Sequence, residues 1–312
     1  MSFSDILGVS IGKLMLRSPI IIASGVWPME PERWPSGIVD KVGAICTKGL
    51  TFSPKEGNKG IRLWETPCGL LNSIGLQNPG LESFLKNEFQ MLKNCGCPLI
   101  FNLAFHREDE LDLLLDKLSS SGFDGTVEIN VSCPNVSGGG MAWAVDLMSL
   151  EMVLKKARAK WKGDIWVKLS PNVPDIYDSA IVAENCGADA IVVANTWLGL
   201  AIDIKKKKPV FERIFAGLSG PAILPLSLRL VWEATNVVKI PVIGCGGITD
   251  TESALGMLMA GASAIQIGTG LLRDFEVINK ICGGIEGYME ENEIDSVKQL
   301  VGLAKKNHNI RG

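Results

Sequence analysis

The residues able to do chemistry recur in one setting: each closes a short apolar run. In chain order they are Ser24-Gly25, Thr47-Lys48, Asn102, Asn130, Cys133, Lys168-Leu-Ser170, Asn195-Thr196, Gly246-Gly247 and Gly268-Thr269. The set holds amides, two lysines and one thiol, without a pair of carboxylates. It suits the binding of a planar, hydrogen-bonding, anionic ligand better than it suits hydrolysis. Lysines that end buried runs need an anionic or electron-rich partner. Asparagines at 72, 102, 130, 135 and 195 each offer donors and an acceptor, so several aimed at one pocket would read an imide-like ring edge. The turns Ile243-Gly-Cys-Gly-Gly247 and Ile267-Gly-Thr-Gly270 let backbone N–H groups approach a phosphate. Cys133, in Asn130-Val-Ser-Cys-Pro-Asn135 ahead of Ser137-Gly-Gly-Gly140, is placed to act as a general base once water is excluded.

Other chemistries are disfavoured by what the chain lacks. Its two histidines, His106 and His308, leave little room for a Ser-His-Asp triad or a histidine-rich metal site. The eight cysteines match no zinc spacing, and Cys95-x-Cys97 has neither a second pair nor a nearby histidine, so no metal site is expected. The 31 basic and 34 acidic residues leave a net charge of −3, which gives no electrostatic reason to expect nucleic acid. The lysine run Lys205–Lys208 reads as a solvated loop. No stretch approaches the ~20 apolar residues needed to span a bilayer. The start, Met1-Ser2-Phe3-Ser4-Asp5, has no basic region ahead of an apolar run, so a secretory signal is not expected and a cytoplasmic protein is.

Positioning these residues requires strands. Apolar runs rich in Ile, Val and Leu occupy Pro19–Ala23, Ala44–Thr47, Leu99–Leu103, Thr126–Asn130, Ile165–Leu169, Ala190–Val193, Pro241–Gly244 and Ala264–Ile267, as buried parallel strands do. Between them, 3.6-residue periodicity predicts helices over Leu81–Leu92, Glu108–Ser120, Leu150–Trp161, Ile176–Cys186, Leu226–Thr235 and Thr251–Met259. With 312 residues and 46% hydrophobic content, the chain can bury a large core. Eight alternating units predict an α/β fold, a (β/α)8 TIM barrel forming a single domain over 1–312; a doubly wound open sheet is the runner-up. Residues 1–18 read as a β-hairpin capping the N-terminal mouth. Excursions at 49–80 and 198–218 read as inserted loops over the C-terminal mouth, where barrels carry their functional residues.

Five segments in order carry a resemblance. They are Leu71-Asn-Ser-Ile-Gly-Leu-Gln-Asn-Pro-Gly80, Asn130–Asn135, Val167-Lys-Leu-Ser-Pro-Asn172, Gly217-Leu-Ser-Gly-Pro-Ala222 and Val242-Ile-Gly-Cys-Gly-Gly-Ile248. Together they resemble the dihydroorotate dehydrogenases over about residues 5–303. Gly139-Gly-Met-Ala142 and Asn195-Thr-Trp-Leu-Gly199 with Ile202-Asp203 are most similar to class 1B catalytic subunits. The resemblance implies a flavoprotein oxidoreductase of pyrimidine biosynthesis that binds FMN without a covalent link and oxidises (S)-dihydroorotate to orotate. It implies hydride transfer from C6 to flavin N5 and loss of the C5 proton to Cys133. It implies substrate contacts at Lys48, Asn72, Ser73, Ile74, Gly75, Leu76, Asn130, Asn135, Asn195 and Thr196. It implies flavin contacts at Ser24, Lys48, Gly49, Asn102, Asn130, Lys168, Ala194, Gly220, Gly246, Gly247, Gly268 and Thr269. It further implies a homodimer core within a heterotetramer, whose second chain carries FAD and a [2Fe-2S] cluster and passes electrons to NAD. This chain has no ferredoxin-type cysteine cluster and no dinucleotide fingerprint of its own. It departs from the family pattern at Gly57-Asn58-Lys-Gly-Ile61-Arg62, which lacks a proline, and at Val210–Ala216, where glycines are usual. A dihydropyrimidine (uracil-type) dehydrogenase subunit and a flavin-binding electron-transfer subunit without turnover are the alternatives; Asn135, where the uracil-type enzymes have histidine, favours orotate.

Overall fold

The computed structural model describes residues 6–132, 143 and 145–309. Sixteen strands form among them: β1 (Val9–Ile11), β2 (Leu14–Leu16), β3 (Ile20–Ile22), β4 (Ala44–Cys46), β5 (Leu63–Thr66), β6 (Gly69–Asn72), β7 (Leu99–Ala104), β8 (Thr126–Asn130), β9 (Ile165–Lys168), β10 (Ala190–Val193), β11 (Trp197–Leu200), β12 (Ile202–Asp203), β13 (Lys208–Pro209), β14 (Phe215–Ser219), β15 (Val242–Cys245) and β16 (Ala264–Ile267). Eight of them close a barrel in the order β10-β15-β16-β3-β4-β7-β8-β9, every pair parallel. These are the eight apolar runs, trimmed or extended by a residue at their ends. β-Branched side chains pack well on both faces of such strands, and Ile20, Ile21, Ile22, Ile191, Val192 and Val193 are all fully buried. The chain is therefore a (β/α)8 barrel.

Helices cover the outside. Leu111, Leu114, Leu115 and Leu118 form the buried stripe of Glu108–Ser120, and Leu230, Val231 and Ala234 that of Leu224–Val237. Asp146 caps Leu147–Lys160 by accepting from Ser149 N at 3.1 Å, so this helix starts three residues before the periodicity begins. The predicted helix Leu81–Leu92 is instead two, Leu81–Lys86 and Glu88–Leu92, because Asn87 leaves the helical region. The C-terminal helices Val277–Glu291 and Leu303–Asn309 were not expected from periodicity.

β1 and β2 pair as the expected hairpin, Val9 opposite Leu16. Its turn is tied across the bottom of the barrel: Lys13 N donates to Asp164 Oδ2 at 2.6 Å, one residue before β9. The two excursions are more ordered than inserted loops. Strands β5 and β6 from one and β11 and β14 from the other build a single antiparallel sheet, β11-β14-β6-β5. Its register sets Gly217 opposite Asn72. Lys205–Lys208 are exposed, as a solvated run should be, but Lys208 opens β13, which pairs with β12 in a separate two-stranded ribbon.

Candidate functional site

A cavity of about 370 Å³ opens at the C-terminal ends of the barrel strands, beneath the four-stranded sheet. That size suits a small-molecule or cofactor site. Its wall takes in Ser24, Lys48, Gly49, Asn72, Ile74, Gly75, Leu76, Asn102, Asn130, Lys168, Ala194, Asn195, Thr196, Gly220, Gly246, Gly247, Gly268 and Thr269. Parallel strands all deliver their C-terminal residues to one end, which is why positions so far apart in sequence meet. Ser73 is off the wall: its Oγ accepts from Asn58 Nδ2 at 2.9 Å and its N donates to Arg62 O at 2.8 Å. Cys133 and Asn135 lie outside the described residues.

Several amides on the wall have a fixed orientation. Asn130 Oδ1 accepts from Ser132 Oγ at 2.6 Å, which leaves its NH₂ as the free end. Ser132 Oγ also accepts from Asn195 Nδ2 at 2.5 Å, while Asn195 Oδ1 accepts from Thr196 N at 2.8 Å. Asn102 is the reverse case, since its Oδ1 is buried without a hydrogen-bond partner. An orphaned buried acceptor costs ~1–3 kcal/mol, and a ligand N–H would relieve that penalty. The wall thus offers donors from Asn130 and an acceptor from Asn102, the complement of an imide edge.

Two cations complete the polar surface. Lys48 makes no hydrogen bond or ion pair with a described side chain. Burial first, and then the Arg62 guanidinium, hold its ammonium below the ordinary lysine value. Lys168 is buried; it donates to Gln266 Oε1 at 2.9 Å and lies 3.9 Å from Glu128 Oε1. Burial opposes its charge, but its neighbours outweigh burial and hold it above the ordinary value. The neighbours that raise it are Cys245 first, then Glu128 and Cys46, while burial pushes the Cys46 and Cys245 thiols up.

The glycine turns are built for close approach. Gly247 has φ +81°, and a Cβ there would stand 2.5 Å from Leu224 Cα, so the turn packs directly on the start of Leu224–Val237. The N–H groups of Gly246 and Gly247 make no backbone hydrogen bond to the described chain. Thr269 Oγ1 donates to Ser219 Oγ at 2.7 Å, joining the turn after β16 to β14. These groups could hold a phosphate at one end of a planar ligand.

Sequence reasoning missed Leu63, Leu70 and Ser219 as wall residues, because they reach the cavity only through pairing between distant segments, and it missed Cys245, which the end of β15 places on the wall beside Gly246. It also gave Ser132 no part in orienting Asn130 and Asn195. Among the described residues no cluster of three His, Cys, Asp or Glu could hold a metal ion.

The family model described as dihydroorotate dehydrogenase matches residues 6–289. The chain is 43% identical over 299 residues to the dihydroorotate dehydrogenase B (NAD(+)) catalytic subunit of Thermoanaerobacter pseudethanolicus, covering 96% of this chain and 99% of that one. It is 40% identical over 296 residues to the subunit of the same name from Geotalea uraniireducens, covering 95% and 97%. It is 39% identical over 302 residues to that of Bacteroides thetaiotaomicron, covering 95% and 98%.

Proposed function

The chain belongs to the dihydroorotate dehydrogenase family, and from that membership we propose that it oxidises (S)-dihydroorotate to orotate in pyrimidine biosynthesis with one non-covalent FMN bound in the cavity. The observation that carries this reading is the convergence of Lys48, Lys168 and the orphaned Asn102 Oδ1 on one wall. The residues fit the cofactor. An imide-edged ring would satisfy Asn102, a buried cation suits an electron-rich ring edge, and the glycine turns suit a phosphate.

When bound, FMN supplies the two-electron acceptor. Lys168, Asn102, Ser24, Gly49, Ala194 and Gly220 would hold the ring, and Gly246, Gly247, Gly268 and Thr269 the phosphate. Lys48 would draw in the substrate carboxylate, with Asn72, Asn130, Asn195 and Thr196 orienting the substrate ring. Cys133 would take the proton from C5 as hydride leaves C6; a thiol near its ionisation range is a competent base. The sheet above the cavity would exclude water.

"Catalytic subunit" in the relatives' names supports a partner chain. We propose that the partner carries FAD and a [2Fe-2S] cluster, relays electrons to NAD and docks on a homodimer core of this chain. We place the enzyme in the cytoplasm; no helix among the described residues is long and apolar enough to cross a membrane.

The test is direct. The purified protein should be yellow and release FMN, not FAD, on denaturation. Dihydroorotate should bleach it anaerobically, and dihydrouracil should not. Bleaching by dihydrouracil alone would favour the uracil-type alternative. Flavin that neither substrate bleaches would favour an electron-transfer subunit.

A further inference from the structure

Beneath the cavity, inside the barrel, Glu128 on β8 is fully buried and does not reach the wall. Its Oε1 accepts from Asn102 Nδ2 at 2.5 Å and from the Cys46 thiol at 3.5 Å. Its Oε2 accepts from Gln266 Nε2 at 2.5 Å. Gln266 Oε1 accepts in turn from Lys168 Nζ, which lies 3.9 Å from Glu128 Oε1. Side chains from β4, β7, β9 and β16 thus gather around one carboxylate.

A carboxylate only accepts, so its neighbours must turn donors toward it. Asn102 therefore commits its NH₂ to Glu128 and leaves Oδ1 buried and unpaired on a residue that lines the cavity. Gln266 likewise commits its NH₂, which leaves its oxygen to orient the Lys168 ammonium. The same carboxylate offsets the charge of Lys168 in the buried interior, where such an offset is felt most strongly.

We propose that Glu128 is a positioning residue of the flavin site: it fixes the amide orientation of Asn102 and Gln266 and tempers the charge that Lys168 presents to the ring. The proposal rests on the reading that the cavity holds FMN. Glu128 itself touches neither flavin nor substrate. Two consequences separate this role from a purely structural one. First, the oxidised flavin ring has a single N–H, at N3, and an acceptor held in place by Glu128 selects for it. Second, an offset Lys168 raises the flavin's reduction potential less than a bare one would.

Glu128→Gln puts an NH₂ in place of one of the two oxygens, against the Asn102 or the Gln266 amide nitrogen, so one of these amides must turn over. It also leaves Lys168 without its counter-charge. The experiment removes FMN and reconstitutes the protein with FMN or N3-methyl-FMN, reading affinity by flavin fluorescence. The potential of bound FMN is measured by anaerobic equilibration with reference dyes. Wild type should prefer FMN over the methylated ring by about tenfold or more, as expected where a buried acceptor would otherwise face a methyl group. In Glu128→Gln the preference should fall severalfold and the potential should move positive. Glu128→Asp keeps the charge, so its potential should stay nearer wild type while its preference falls. Because Glu128→Gln leaves a lone buried cation, the double variant Glu128→Gln/Lys168→Met, which removes both charges, gives a second reading of the preference. A wild type without the preference, or a preference that survives in the single or the double variant, overturns the proposal. A wild type that binds no FMN overturns the proposed function instead.

Discussion

Cys133 and Lys48 hold the two protonation states on which the proposed reaction depends. Cys133→Ser replaces a thiol of reference pKa about 8.5 with a hydroxyl that ionises far less readily. Flavin reduction by dihydroorotate should slow by about 10²–10⁴-fold, the usual contribution of a general base, while substrate affinity persists through Lys48 and the asparagines. Wild-type reduction should quicken with rising pH as the thiol ionises. Anaerobic stopped-flow on both proteins decides the point, and equal rates would remove Cys133 from the mechanism. Lys48 carries the opposite pH dependence. Its ammonium is held below the ordinary lysine value by burial and by Arg62, so it loses its charge at a lower pH than a solvated lysine. The KM for dihydroorotate should therefore rise at alkaline pH, beginning below the ordinary lysine range. A KM that stays flat through pH 10 would show that Lys48 does not hold the substrate carboxylate.

At the scale of elements, the sheet β11-β14-β6-β5 brings residues from two distant segments onto the cavity. Gly217 on β14 packs tightly against the wall, since a Cβ there would stand 2.2 Å from Thr196 Oγ1. Gly217→Val should push β14 away from Asn195 and Thr196. A misplacement of about 1 Å can cost about 10²-fold in turnover, so kcat/KM should drop by that order. The Tm should move little, because β14 is not a barrel strand. Steady-state kinetics beside a thermal melt would separate the two effects. Wild-type kinetics in the variant would mean that the sheet does not position the site.

At the scale of the whole molecule, the proposed function gives this chain the FMN and leaves NAD to a partner. The chain purified alone should be reduced by dihydroorotate yet turn over NAD poorly, gaining NAD activity only with the electron-transfer partner. NADH formation followed by absorbance, with and without that partner, measures this. Efficient NAD reduction by the single chain would defeat the proposed division of labour.

The sequence by itself determined the barrel and most of its mouth. Buried parallel strands need unbroken apolar runs, parallel connections need helices, and all such strands end at one face; Lys48, Asn102, Lys168, Gly246 and Gly268 were legible as wall residues for that reason. Helix ends were legible only to within a few residues, since Asp146 sets its start by a hydrogen bond outside the periodic pattern. Only the tertiary structure decided the rest. The pairing of Asn72 with Gly217 joins residues 145 apart, and no local pattern encodes a partner at that distance. Nor does any local pattern say which way an amide faces. Ser73 turns to Asn58, Ser132 joins Asn130 to Asn195, and Glu128 turns Asn102, because each orientation follows from the donors and acceptors that folding brings alongside.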